Sequence, residues 1–185
     1  MSENSMNLTN HFLIATGNLD RSIFSKSVIF VCRHDSDGAF GLVLNKPSET
    51  SVRELLKSLK ITPSGGTSAV LHGGPVKPEQ VFILHSPPGE YDVTIRVDDN
   101  IGVTMSKDIL SAIAENRAPS KMLFAFGYAG WEAEQLETEI RENAWLAVPA
   151  SPDIIFDMPP PRRLQEATRR LGFDIKSLSA DTGRA

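Results

Sequence analysis

Five consecutive apolar residues, Val28-Ile29-Phe30-Val31-Cys32, constrain the fold more than any other stretch of this chain. A strand sends successive side chains to opposite faces, so an unbroken apolar run has no face to give to water. Ser27–Arg33 therefore reads as a central strand covered on both sides. Asp35-Ser36-Asp37-Gly38 follows, and Phe40–Asn45 reads as the next strand. The spacer consists of turn formers, and Asp37-Gly38 can supply the positive φ of a tight hairpin.

Short runs of the same kind predict further strands at His11–Thr16, Val70–His72, Gln80–His85, Tyr91–Val97, Met122–Tyr128 and Ala144–Val148. Four stretches carry helical spacing instead. Ser51 caps the first and Glu54 completes a capping box, with Val52, Leu55, Leu56 and Leu59 forming the apolar stripe behind it. Ser106 caps a second, which carries Ile109, Leu110 and Ile113. A third runs from Trp131 to Asn143, and Gly127-Tyr128-Ala129-Gly130-Trp131 reads as the junction that feeds it. The fourth starts near Pro161, buries Leu164, Ala167, Thr168 and Leu171, and stops at Gly172. Arg169 and Arg170 fall in its last turn, where cations favour the helix dipole. Pro63–Gly66, Pro87–Gly89 and Pro159–Pro161 read as loops. Strands outnumber helices and cluster without strict alternation. The reading is α+β: one domain over residues 1–185, with a mostly antiparallel or mixed sheet and helices against it. Residues 1–8 are expected to be flexible.

The charge balance, −4 at pH 7, provides no basic field for a nucleic-acid backbone, so direct nucleic-acid binding is disfavoured. A single cysteine, Cys32, forbids an intrachain disulfide and fits a reducing compartment. The first ten residues are polar, and no apolar run approaches the ~20 residues of a membrane helix. The expected compartment is the cytoplasm, with no membrane partner.

The residues that could carry chemistry mostly have simpler explanations. Cys32 and His34 lie two apart on one strand, which points both to the same face, the minimum for an activated thiolate. A buried cysteine beside a rim histidine explains them more simply, and a redox-sensing role for Cys32 is a further reading. His34, Asp35 and Asp37 suggest a calcium loop, but Phe40 and Lys46 stand where the loop needs glycine and glutamate. His72-Gly73-Gly74-Pro75, with Lys77 near, could offer backbone amides to an anion, yet it lacks the Gly-Lys-Ser/Thr of a P-loop. Glu132, Glu134 and Glu137 would repel a phosphate at the start of the third helix. His11, His34, His72 and His85 show no ligand spacing for zinc. No cofactor, metal or catalytic set is expected.

Taken in order, several blocks resemble one family. They are His11-Phe12-Leu13-Ile14-Ala15, Phe24 with Ser27-Val28, and Cys32-Arg33-His34 leading into Gly38–Pro47. Then come His72-Gly73-Gly74-Pro75-Val76, Val81–Ser86, Gly127–Trp131, Gln135-Leu136-Glu137 and Trp145. Together they resemble the AlgH/YqgE family of bacterial proteins. The resemblance implies a bifurcated sheet partly closed into a small barrel and surrounded by helices. It implies no enzymatic activity, and members are often labelled transcriptional regulators. Glu132 and Glu134 depart from the family, which commonly has glycines there.

Two functions follow. The leading one is a non-catalytic protein that binds a protein partner, with gene regulation as the process the resemblance implies. Its surface would be Asn45, Lys46 and Pro47, His72, Gly73 and Gly74, and Gly127, Tyr128, Gly130 and Trp131. The alternative is a small-ligand binder or enzyme with a pocket near Cys32, His34 and His85.

Overall fold

The computed structural model describes residues 5–62 and 68–172, so the expected Pro63–Gly66 loop lies outside the described residues. Ten strands form one sheet: β1 (His11–Ala15), β2 (Val28–Asp35), β3 (Gly38–Val43), β4 (Pro47–Ser51), β5 (Ala69–His72), β6 (Val76–Ser86), β7 (Thr94–Arg96), β8 (Gly102–Thr104), β9 (Lys121–Glu132) and β10 (Trp145–Pro149). Four α-helices accompany them: α1 (Val52–Ser58), α2 (Asp108–Ala114), α3 (Gln135–Arg141) and α4 (Pro160–Arg169). The strand order is β10-β1-β2-β3-β9-β6-β8-β7, with β4 and β5 branching from β9.

The apolar run dictates the centre of the first half. Val28, Phe30 and Cys32 join one core cluster while Ile29 and Val31 join another, each run residue at most 1% exposed. The first cluster fills the concave side of a curled, half-closed barrel, where Phe12, Phe82, Leu84 and Val103 meet Ile154, Ile155 and Ala167. The ends of the curl approach one another where Asn10 Nδ2 donates to Asp98 Oδ2 at 3.1 Å. The second cluster lies on the outer face under α3, through Leu136. A third, between Leu55, Leu56, Ile109 and Ile113, fixes α1 and α2 over the other half.

The sheet divides along β9. Residues 121–126 pair antiparallel with β6, and Leu71 and His72 of β5 pair in parallel with Ala125 and Phe126. Beyond Gly127, Tyr128 still faces Val76 of β6, and from Ala129 onward the strand pairs with β3, Ala39 opposite Trp131. Gly127 lies next to the switch at φ +71, a conformation in which a side chain is strained. The expected mixed sheet, branched and partly closed, is what forms.

Several elements differ from the sequence reading. Trp131 is a strand residue, and α3 begins at Gln135. The glycines at 127 and 130 imitate a turn, yet β9 continues through them to Glu132. Glu134, expected within the helix, precedes it at φ 64. Ser106 does not cap α2, because its hydroxyl accepts from Val93 N–H and donates to Asp108. β4 is polar and proline-led, which hides it in the sequence; it tolerates both because it pairs on one edge only. β8 is too short to register as a pattern, and the expected Tyr91–Val97 strand contracts to Thr94–Arg96. Pro160 and Pro161 form the first turn of α4 rather than a loop, where a missing N–H costs nothing. Leu8, expected in the flexible start, is 9% exposed and packs beneath α3. Among the described residues no helix is long and apolar enough to cross a membrane.

Candidate functional site

The expected placement of Cys32 and His34 on one face of the strand is overturned by one extra residue, while the expected burial of Cys32 is what the structure shows. The β2–β3 register runs Val31 opposite Gly41, then Arg33 opposite Phe40, which leaves Cys32 as the unpaired residue of a bulge. The alternation reverses there. Cys32 stays inside the barrel beside Phe30, and His34 turns to the outer face. The Cys32 thiol, in a residue 1% exposed, makes its hydrogen bond to the Phe30 carbonyl at 3.6 Å, and burial pushes its pKa well above the ordinary thiol range.

His34 is a structural clamp. Its Nδ1 lies 3.0 Å from the Leu8 amide, its Nε2 2.5 Å from Glu137 Oε1, and its own N–H donates to Thr9 Oγ1 at 2.9 Å. An amide can only donate, so Nδ1 accepts and Nε2 carries the proton given to Glu137. Thus Glu137 serves as the imidazole's partner, not only as dipole compensation for α3. His85 is equally occupied. Its Nδ1 donates to the Pro87 carbonyl at 2.9 Å and its Nε2 accepts from Thr104 Oγ1 at 2.7 Å, while Tyr91 packs edge-on. Burial lowers its pKa, and the Pro87 carbonyl partly opposes that. Cys32, His34 and His85 thus have three separate surroundings. His11 bonds the Thr9 carbonyl and His72 is exposed. Among the described residues no group of three or more His, Cys, Asp or Glu could hold a metal ion.

A different set of the expected residues does converge. Lys46, His72 and Gly74 line one cleft of about 340 Å³ together with Phe24, Ser27 and Val43. Ile23 and Pro75 complete its rim, and Ile23 is 70% exposed. Backbone and side-chain bonds lace these segments together. Asn45 Oδ1 accepts from Val28 N–H at 3.0 Å and its Nδ2 donates to the Lys26 carbonyl at 2.8 Å. Lys46 Nζ donates to the Ser25 carbonyl at 2.8 Å, while the Lys46 carbonyl accepts from His72 N–H at 2.7 Å. The Gly73 carbonyl accepts from Val43 N–H at 2.9 Å, and its N–H donates to the Phe126 carbonyl at 2.8 Å. Asn45 and Gly73 are thus supports of the cleft, not its lining.

Gly74 and Gly127 are glycines because two backbones nearly touch. A Cβ on Gly127 would stand 2.4 Å from the Gly74 carbonyl oxygen, and one on Gly74 would stand 2.0 Å from Tyr128 C. The other residues of the expected surface lie elsewhere. Tyr128 stacks on Phe40 at 4.6 Å, Trp131 meets Trp145 edge-on at 6.2 Å, and Gly130 sits against the Tyr128 ring.

The cleft's chemistry is mostly apolar, with a cation, an imidazole and one hydroxyl. Ser27 Oγ is buried and has no hydrogen-bond partner among the described residues. An unmade bond at a buried polar group costs about 1–3 kcal/mol, and at 0% exposure this hydroxyl lies sealed beneath the cleft's surface. In the sequence Ser27 stands out only within the family-like blocks. Val43 likewise falls within such a block, whereas Ile23 gives no signal, because its role depends on where the 72–75 loop folds.

Similar proteins from bacteria span nearly the whole chain. A UPF0301 protein of Idiomarina loihiensis is 44% identical over 182 residues, covering 96% of this chain and 98% of the relative. One of Chromobacterium violaceum is 42% identical over 184 residues, covering 98% and 99%. The solution structure of the AlgH protein from Pseudomonas aeruginosa matches with a TM-score of 0.79 at 39% identity, covering 100% of both chains. A crystal structure from Corynebacterium diphtheriae shares the fold at a TM-score of 0.71 and 23% identity, covering 92% of this chain and 90% of its own. The AlgH-like family model matches residues 12–176, and the chain belongs to that family.

Proposed function

We propose that the protein acts by binding a protein partner rather than by catalysis, and that the Lys46–His72 cleft receives it. The observation that carries this reading is the cleft itself: an open, largely apolar hollow flanked by Lys46 and His72, built from separate segments bonded to one another. Such a rigid frame around a few polar groups suits recognition of an apolar side chain with an adjacent acceptor. Lys46 and His72 favour an acidic flank on the partner. A role in gene control would then run through that partner, since the net charge of −4 gives no field for DNA. The alternative built on Cys32, His34 and His85 gains no support, because their side chains are committed to three different surroundings.

The test places a photo-reactive residue at Ile23, on the exposed rim, and crosslinks in cells. A discrete protein adduct that disappears with Lys46→Glu and with His72→Glu is the expected result. An adduct pattern unchanged by both substitutions, or no adduct, overturns the reading.

A further inference from the structure

Among the described residues, Arg163 is the one lysine or arginine that the fold buries. It is 5% exposed. Nε donates to the Ile154 carbonyl at 3.1 Å and one Nη1 hydrogen to the Leu44 carbonyl at 2.6 Å. A guanidinium has five N–H donors, so three remain without an acceptor among the described residues. No carboxylate among the described residues pairs with it, although a buried charge normally requires one. Burial holds its pKa down to about 10. The amino end of α4 adds to the same field. Its first turn has no acidic residue and Pro159 provides no side-chain cap, so the positive end of the helix dipole faces the same region uncompensated.

This positive pole borders a groove of about 790 Å³. Its other walls are apolar, from Val52 and Leu56 of α1, Ile113 of α2, Leu71 and Phe124 of the sheet, and Met158. The one acid in the lining, Asp157, is already held by Lys121 Nζ at 2.9 and 3.0 Å. The groove is separate from the Lys46–His72 cleft, and the two share no lining residue.

We propose that this groove binds a free single-chain amphiphile with a carboxylate head, a fatty carboxylate, whose head pairs with Arg163 and whose chain lies along the apolar walls. Volume and shape suit a small molecule rather than a flat protein contact, since ligand pockets span roughly 300–1,000 Å³ and hold few polar groups among many apolar ones. The guanidinium's remaining donors match a carboxylate.

The test is calorimetric titration of the full chain with decanoate, decanol and decyltrimethylammonium. Decanoate is expected to bind, with decanol about tenfold weaker and the cation without measurable binding. Arg163→Met should erase the preference for decanoate over decanol. That substitution also removes two backbone clamps, so Ala118→Trp provides an independent check. Ala118 is exposed at the groove's edge, and filling the groove there leaves Arg163 in place. Decanoate affinity should fall about tenfold or more in that variant. Absence of decanoate binding, equal binding of decanol, or unchanged binding in Ala118→Trp overturns the proposal.

Discussion

Replacing Gly74 by alanine should be far more damaging than one methyl group suggests. The new Cβ would meet Tyr128 C at 2.0 Å, Tyr128 O at 2.1 Å and Ala129 N at 2.4 Å. All three are backbone atoms of β9, so no rotamer change relieves the clash; either the 72–75 loop or the central strand has to move. The φ of +157 adds strain of its own. Backbone strain of this kind costs about 1–3 kcal/mol. Forcing atoms into a packed site costs about 1–3 kcal/mol more. The expected total of about 4 kcal/mol is a large share of a domain's stability of about 5–15 kcal/mol. Urea unfolding followed by the fluorescence of Trp131 and Trp145, 7% and 2% exposed, measures it directly. With a slope of about 2 kcal/mol/M the midpoint should drop by about 2 M. Gly172→Ala is the control. Gly172 has φ +77 but no atom of the described residues within 4 Å of an added methyl, so conformational strain of about 1 kcal/mol is what applies. Equal losses in the two variants, or a Gly74→Ala loss under about 1 kcal/mol, would refute the argument from backbone contact.

Two further substitutions probe buried titratable groups. Burial keeps the folded pKa of His85 below its ordinary 6.5, so the unfolded chain takes up the proton first and stability present above that pH is lost as pH falls through it. His85→Gln should flatten the decline in melting temperature between neutral and mildly acid pH; an identical slope would show that His85 is not its source. Glu139 behaves in the opposite sense, because burial raises its pKa above the ordinary 4.5 and its Oε2 has no hydrogen-bond partner among the described residues. The folded state then binds the proton more readily, and stability is lost as pH rises through that value. Glu139→Gln should therefore melt higher than the parent at pH 7, with the advantage gone under acid conditions below the ordinary carboxyl pKa. A lower melting point at pH 7 would mean the carboxylate is favourably held.

What can be read from the letters is what is decided locally. The α1 start is fixed within four residues, with Ser51 Oγ accepting from Glu54 N–H at 3.1 Å and Glu54 Oε2 accepting from Ser51 N–H at 3.2 Å. The β2–β3 hairpin likewise closes with Asp35 opposite Gly38. The branched barrel, by contrast, comes from resemblance and not from periodicity. The bulge at Cys32 is invisible in the sequence because it depends on how β3 pairs, and a single inserted residue sends His34 to the wrong face for the thiol. Arg163 reads as one polar residue among several on a surface helix. Its burial comes from Leu44, 119 residues earlier, which no window along the chain connects to it. The cleft is half legible: the Asn45-Lys46-Pro47 and His72–Gly74 segments stand out, but β5 pairing with β9 is what brings them together.

One consequence of the shared strand concerns how the molecule comes apart. Because β9 belongs to both branches, with Tyr128 still facing β6 and Ala129 already paired with β3, there is no seam along which one branch could detach and leave the other with its edges satisfied. Loosening either branch strips hydrogen bonds from the same backbone that supports its counterpart. The ten strands should accordingly open as one cooperative unit, even though their apolar contacts fall into three clusters.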